Sequence, residues 1–191
     1  MPPEETGTDM QKEVKCMNRV LVVVDMQNDF IDGSLGTKEA QQIVGNVVNE
    51  INREYEHYIA TRDTHKENYL ETNEGKHLPV VHCIEDSEGW KIRKEVHEAL
   101  AQQCFICINK PTFGSEELVE LLKNIDRLHK IDEITLIGLC TDICVVSNAL
   151  LLKAAFPEVK MIVKKDCCAG VTPESHEAAL TTMRMCQIEV I

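Results

Sequence analysis

The chain has no basic surplus, no long apolar run and no even set of cysteines. Its 20 lysines and arginines are outnumbered by 32 aspartates and glutamates, giving a net charge of −12. Nothing in that balance would neutralise a phosphate backbone or an anionic bilayer, which argues against nucleic-acid and membrane partners. No stretch approaches the roughly 20 apolar residues that cross a bilayer. The acidic, polar residues 1–14 hold no apolar signal core. Nine cysteines is an odd count in a chain of 191 residues, which argues against a disulfide scaffold and for free thiols in a reducing cytoplasm. Cys104 and Cys107 lie in the apolar run CFICI, where free cysteine reads as a small hydrophobe. Repeats and low-complexity tracts are also missing.

What is present suits one globular domain with a full core: 43% of residues are hydrophobic and 27% charged. Residues 1–17 lack apolar periodicity and are expected to form a flexible leader before a domain over 18–191. The β-branched run at 19–25 suits a strand buried on both faces. A helix follows over 38–55, with Ile43, Val47, Val48 and Ile51 on one face. Further strands are expected at 57–61, 104–109, 133–139, 160–163 and 187–191, and further helices at 93–102, from Ser115, at 142–155 and at 173–185. Ser115 and Thr172 are the expected N-caps of two of these. Residues 64–89 are polar and irregular, and a loop of that length is usually functional. The alternation predicts an α/β fold: three layers, Rossmann-like, with a central, mainly parallel six-stranded sheet flanked by helices.

In open parallel sheets ligands bind beyond the carboxyl ends of the strands. Those ends carry Asp25, then Asp63 and His65, then Lys110, then Cys140, Thr141, Asp142 and Cys144. Cys144 falls in the first turn of a helix, where backbone N–H groups stabilise a thiolate or a developing oxyanion. Asp25 is placed to take the thiol proton, and Lys110 to stabilise the anion or hold Asp25. Taken singly each has a bland reading as a buried cysteine, a strand-end acid or a surface lysine. Their convergence on adjacent strand ends favours chemistry. Asp63-x-His65 and the later His82 pair carboxylate with imidazole, a donor set suited to zinc, iron or manganese. Cys104 and Cys107 would point to opposite faces of a strand, which argues against a redox pair. Cys167 and Cys168 read as packing residues, and His176 has no evident partner.

Three ordered segments carry a family resemblance over residues 19–191. Val24-Asp25-Met26-Gln27-Asn28-Asp29-Phe30, Lys110 before Pro111-Thr112-Phe113-Gly114, and Gly138-Leu139-Cys140-Thr141-Asp142-Ile143-Cys144-Val145 resemble the isochorismatase-like cysteine hydrolases, in their nicotinamidase-related branch. The resemblance implies a catalytic triad of Asp25, Lys110 and Cys144 and a thioester intermediate in amide hydrolysis. It also implies a cis peptide between Leu139 and Cys140 and an oxyanion hole from the backbone N–H groups of Cys140 and Cys144. It further implies a divalent metal, zinc foremost with iron or manganese as alternatives, held by Asp63, His65, Glu74 and His82, with Glu71 the fallback for Glu74. Substrate contacts are expected from Phe30, Phe113, Leu78 and Trp90.

The chain departs from the branch in two places. Leu78 stands where an aromatic residue commonly precedes the proline, and Pro79-Val80-Val81-His82 is one residue longer than the usual motif. The implied activity is nicotinamide hydrolysis, with a small-molecule amide as partner and a homo-oligomeric assembly. The alternatives are a carbamoyl or ureido hydrolase of the same superfamily, against which the metal-ligand set argues, and an inactive ligand-binding module, against which the intact triad argues.

Overall fold

The computed structural model describes residues 17–191. The expected leader, but for Met17, lies outside the described residues. Six strands run β1 (Arg19–Val24), β2 (His57–Asp63), β3 (Ile106–Lys110), β4 (Glu133–Leu139), β5 (Lys160–Ala169) and β6 (Glu189–Val190). They form one sheet in the order β3-β2-β1-β4-β5-β6, and every neighbouring pair is parallel. The helices are α1 (Asn28–Ile31), α2 (Lys38–Ile51), α3 (Asn73–His77), α4 (Lys94–Ala101), α5 (Glu116–Leu128), α6 (Val146–Ala155) and α7 (Pro173–Met185). Among the described residues, no helix is long and apolar enough to cross a membrane.

Side chains alternate across a strand, so the apolar strands feed two cores. Val20, Val22, Val24, Ile134 and Leu136 face α5, α6 and α7, whereas Leu21, Val23, Tyr58 and Ala60 face α2 and α4. On α2 the buried stripe is Ala40, Ile43, Val47 and Ile51, and Val48 is only half-buried. The expected caps form: Ser115 Oγ accepts from Leu118 N at 3.1 Å, and Thr172 Oγ1 accepts from Ser175 N at 3.1 Å. These caps hold α5 and α7 with their N-termini at the carboxyl edge of the sheet.

Several expectations are corrected. β5 continues through the polar Lys164-Lys165-Asp166 to Ala169, and its pairing with β4 shifts register between Leu136 and Gly138. An irregular ladder of that kind leaves no alternation to read. The helix expected from Asp142 opens as a π-turn, Thr141–Val145, before α6 begins. Cys104 and Cys107 are exposed, because their apolar run lies at the sheet edge. Residues 64–89 are not structureless: a 3₁₀ turn (Tyr69–Glu71) and α3 lie within them, and a bridge joins His65 to Ile84.

Gly138 marks the approach to the π-turn. Its φ is +119°, and a Cβ there would stand 2.0 Å from the carbonyl oxygen of Val24. We expect Gly138→Ala to lower stability by about 3 kcal/mol or more, read as a drop in the denaturant midpoint.

Candidate active site and metal centre

β1 delivers Asp25 to the carboxyl edge in a left-handed conformation, φ 47°, which aspartate tolerates better than most side chains. Its N–H donates to Thr61 O at 3.2 Å, and the Thr61 hydroxyl donates to Asp25 Oδ1 at 2.7 Å. Lys110, at the end of β3, brings Nζ to 2.7 Å from Asp25 Oδ2. The same ammonium donates to Thr112 O at 3.1 Å and to Cys144 Sγ at 3.5 Å. Asp25, Lys110 and Cys144 are all buried.

Burial sets their protonation. It would neutralise the Lys110 ammonium, but the charge of Asp25, reinforced by Asp63 and by the hydrogen bond to Asp25, outweighs it and holds the group above the ordinary lysine value. Burial raises the Asp25 carboxyl, an effect opposed by Lys110 and reinforced by Asp63. Burial also pushes the Cys144 thiol well up, with the Asp25 charge adding to it against the pull of Lys110. The resting sulfur is therefore a thiol, beside an acid whose affinity for a proton is increased.

The turn that carries Cys144 has its own supports. A cis peptide joins Leu139 to Cys140, and Cys140 O then accepts from Ile143 N at 3.1 Å and Val145 N at 3.0 Å. Asn148 Nδ2 donates to Cys144 O at 2.8 Å, while Asn148 Oδ1 accepts from Ser115 N at 2.9 Å. Asp142 accepts from Val171 N through both oxygens, at 3.1 and 3.2 Å. Thr141 Oγ1 lies 2.8 Å from His176 Nδ1, a partner for His176 that the sequence reading did not provide. Burial raises the Cys140 thiol to about 12, so Cys140 is not an activated thiol.

A second cluster adjoins the first. His65 Nε2 is 3.0 Å and His82 Nε2 3.5 Å from Asp63 Oδ2, and Glu74 Oε1 is 3.6 and 3.7 Å from the same two nitrogens. One donor atom from each of the four residues falls within 4.8 Å of the others. His82 Nδ1 lies 2.8 Å from Val80 O, the partner that leaves Nε2 as the lone-pair side facing the cluster. The other oxygen, Asp63 Oδ1, is buried and lies 3.6 Å from Lys110 Nζ. A convergent set of two imidazoles and two carboxylates, with one donor atom from each close to the others, fits a divalent cation. Burial raises the Asp63 carboxyl, but hydrogen bonds to His65 and His82 outweigh it and hold the group below the ordinary value.

Local structure explains the set. Asp63 ends β2, and Thr72 caps α3 by accepting from Gly75 N at 3.0 Å, which turns Glu74 inward. Gly75 is required beneath Tyr69, since a Cβ there would stand 2.1 Å from Tyr69 O. Glu71 is exposed and outside the cluster. Two supports escaped the sequence reading. Gln27 bridges Asp63 and Trp90, donating to Asp63 O at 2.8 Å and Trp90 O at 2.9 Å and accepting from Asp63 N at 2.7 Å. Tyr69 packs its ring 4.6 Å from His65 and 4.9 Å from His82. Gln27 lies within the first motif and was legible there, whereas Tyr69 carried no signal.

One cavity of about 280 Å³ serves both clusters. Phe30, Leu78 and Phe113 line it together with Asp63, Glu74, His82, Cys140 and Cys144. Trp90 does not: its indole N–H donates to Thr64 Oγ1 at 2.8 Å, and the Arg62 guanidinium stacks 3.6 Å from its ring centre. Those two contacts hold it outside the cavity lining.

A family model described as the isochorismatase domain matches residues 19–191. The nicotinamidase of Escherichia coli is 27% identical over 194 residues, covering 87% of this chain and 90% of that protein. The nicotinamidase/pyrazinamidase of Mycobacterium tuberculosis is 25% identical over 187 residues, covering 91% and 98%. Among solved structures, the pyrazinamidase of Pyrococcus horikoshii in complex with zinc is similar in fold. Its TM-score is 0.74 at 24% identity, covering 91% of this chain and 98% of that one. Since the family model spans all the strands and helices described above, the chain belongs to the isochorismatase family.

Proposed function

We propose that this protein is a nicotinamidase-like amidohydrolase that converts nicotinamide and water to nicotinate and ammonia. One observation carries the reading. Cys144, backed by Lys110 at 3.5 Å and through it by Asp25, lines the same cavity as Asp63, Glu74 and His82 of the four-donor cluster. The nicotinamidase relatives and the zinc-bound pyrazinamidase of like fold support it.

The chemistry follows from the protonation states. Asp25 accepts the Cys144 proton as sulfur attacks the amide carbon, and Lys110 stabilises the charges on either side of that transfer. The oxyanion of the tetrahedral adduct faces the backbone N–H groups of Cys140 and Cys144 at the start of the nucleophile turn. Asp25 returns the proton to the departing nitrogen, and ammonia leaves behind a Cys144 thioester. Water then attacks the thioester with Asp25 again as base, releasing the carboxylic acid and restoring the thiol. Asp63, His65, Glu74 and His82 would hold a divalent metal, zinc foremost, which supplies a Lewis-acidic position for the ring nitrogen of the substrate. Phe30, Phe113 and Leu78 offer apolar surface to the ring.

The test is ammonia release from nicotinamide by the metal-loaded protein. Turnover is expected, and Cys144→Ala should reduce it by at least about 10⁴-fold with folding and metal content unchanged. No ammonia from folded, metal-loaded protein would move the substrate to another amide, and appreciable turnover by the variant would overturn the thioester route. His65→Ala and His82→Ala should each lower bound metal in elemental analysis, and chelation should abolish turnover until metal is restored. Unchanged metal content in both variants would sink the metal assignment.

The pH profile carries a sign. Asp25 must be ionised to act as base, and its carboxyl is raised above the ordinary 3.8. Activity should therefore fall as pH drops through that raised value, with the acid limb of kcat/KM lying above the usual carboxylate range. Lys110, held above its ordinary value, stays charged across that limb.

A further inference from the structure

The cavity has a charged floor and an apolar upper wall. Asp63, Glu74 and His82 line the floor, and among the described residues no lysine or arginine lines the cavity at all. Lys110 lies beneath it, taken up by Asp25, Thr112 and Cys144. Above the floor the wall is made by Phe30, Leu35, Leu78, Phe113, Ile143 and Val171. Thr37 adds a hydroxyl, but its oxygen already accepts from Ala40 N at 3.0 Å as the cap of α2.

Three of the wall residues lie at the mouth and come from separate segments. Leu78 follows α3, Phe113 lies between β3 and α5, and Val171 lies between β5 and α7. They are 37%, 44% and 51% exposed, an apolar rim on a protein of net charge −12. Leu78 also leaves the mouth without an aromatic ring at its position. The volume of about 280 Å³ approaches the roughly 300 Å³ at which clefts for drug-sized molecules begin, more room than one pyridine ring and its amide occupy.

The geometry points to a substrate class: primary carboxamides whose uncharged aromatic body carries a further apolar substituent, with carboxylate-bearing amides rejected. This deepens the amidase reading above and rests on it. With the carboxamide against Cys144 and the ring nitrogen toward the histidine–carboxylate cluster, the opposite ring edge, at C5, faces the mouth. An alkyl group at C5 meets Leu78, Phe113 and Val171 and buries their exposed carbon surface. A carboxylate at C5 loses water against the same three side chains and finds no counter-charge there.

The test compares nicotinamide, 5-ethylnicotinamide and 5-carboxynicotinamide. kcat/KM is measured on the metal-loaded enzyme, and Kd is measured calorimetrically on metal-loaded Cys144→Ala. The ethyl compound should exceed nicotinamide by about ten-fold in kcat/KM and bind more tightly to the variant, while the carboxylate falls at least about ten-fold below nicotinamide. Val171→Lys, an exposed substitution at the rim, should raise kcat/KM for the carboxylate and lower it for the ethyl compound. Turnover of nicotinamide with no gain from the ethyl group, or with the carboxylate accepted equally, overturns the inference alone. Ammonia from none of the three overturns the nicotinamide reading on which this inference rests, and the inference with it.

Discussion

A lysine ammonium buried among carboxylates is the constraint on which the rest of this site depends. Lys110 is 1% exposed, and charge taken that far from water is tolerated only when it is paired and hydrogen-bonded. Asp25 and Asp63 supply the charge, and Thr112 O supplies a hydrogen bond. Removing one member of such a group typically costs about 3–5 kcal/mol, because the remaining charge is left uncompensated. The three residues lie at the carboxyl ends of β1, β2 and β3, and the parallel register that pairs Asp63 with Lys110 is what brings them together. The electrostatics of the site and the order of the strands are thus one fact seen at two scales.

The same economy governs the two adjoining clusters. Asp63 is shared: one oxygen meets the imidazoles of His65 and His82, and the other faces Lys110. Gln27 fixes the backbone of Asp63 from both sides and ties it to the segment carrying Trp90. On the opposite wall, Asp142 and Thr141 bind the turn that carries Cys144 to the Val171 loop and to α7. The apolar mouth is therefore anchored to the elements that carry Cys144 and the four-donor cluster.

Much of this was legible before any coordinates. Strand β4 and helix α7 lie where the apolar runs and the Thr172 cap put them, because a strand buried on both faces and a capped amphipathic helix leave local signals. What was illegible depended on non-local partners. Lys164-Lys165-Asp166 reads as a break, yet β5 runs on through it beside β4. The π-turn at Cys144 depends on Asn148 and on backbone contacts whose spacing looks helical. CFICI reads as core, yet β3, which begins within it, is an edge strand among the described residues, and Cys104 and Cys107 are exposed.

The residue types and their order along the chain determined by themselves an α/β alternation, acid, lysine and thiol at successive strand ends, and a loop with carboxylate and imidazole donors. Tertiary structure decided which of these meet. It selected Glu74 over Glu71, because the cap at Thr72 and the close approach of Gly75 to Tyr69 turn one carboxylate inward. It placed Trp90 outside the cavity lining, because Thr64 and Arg62 hold the indole there. Local sequence records what a residue is able to do; distance and burial, which set its charge and its partners, arise only when remote segments pack together.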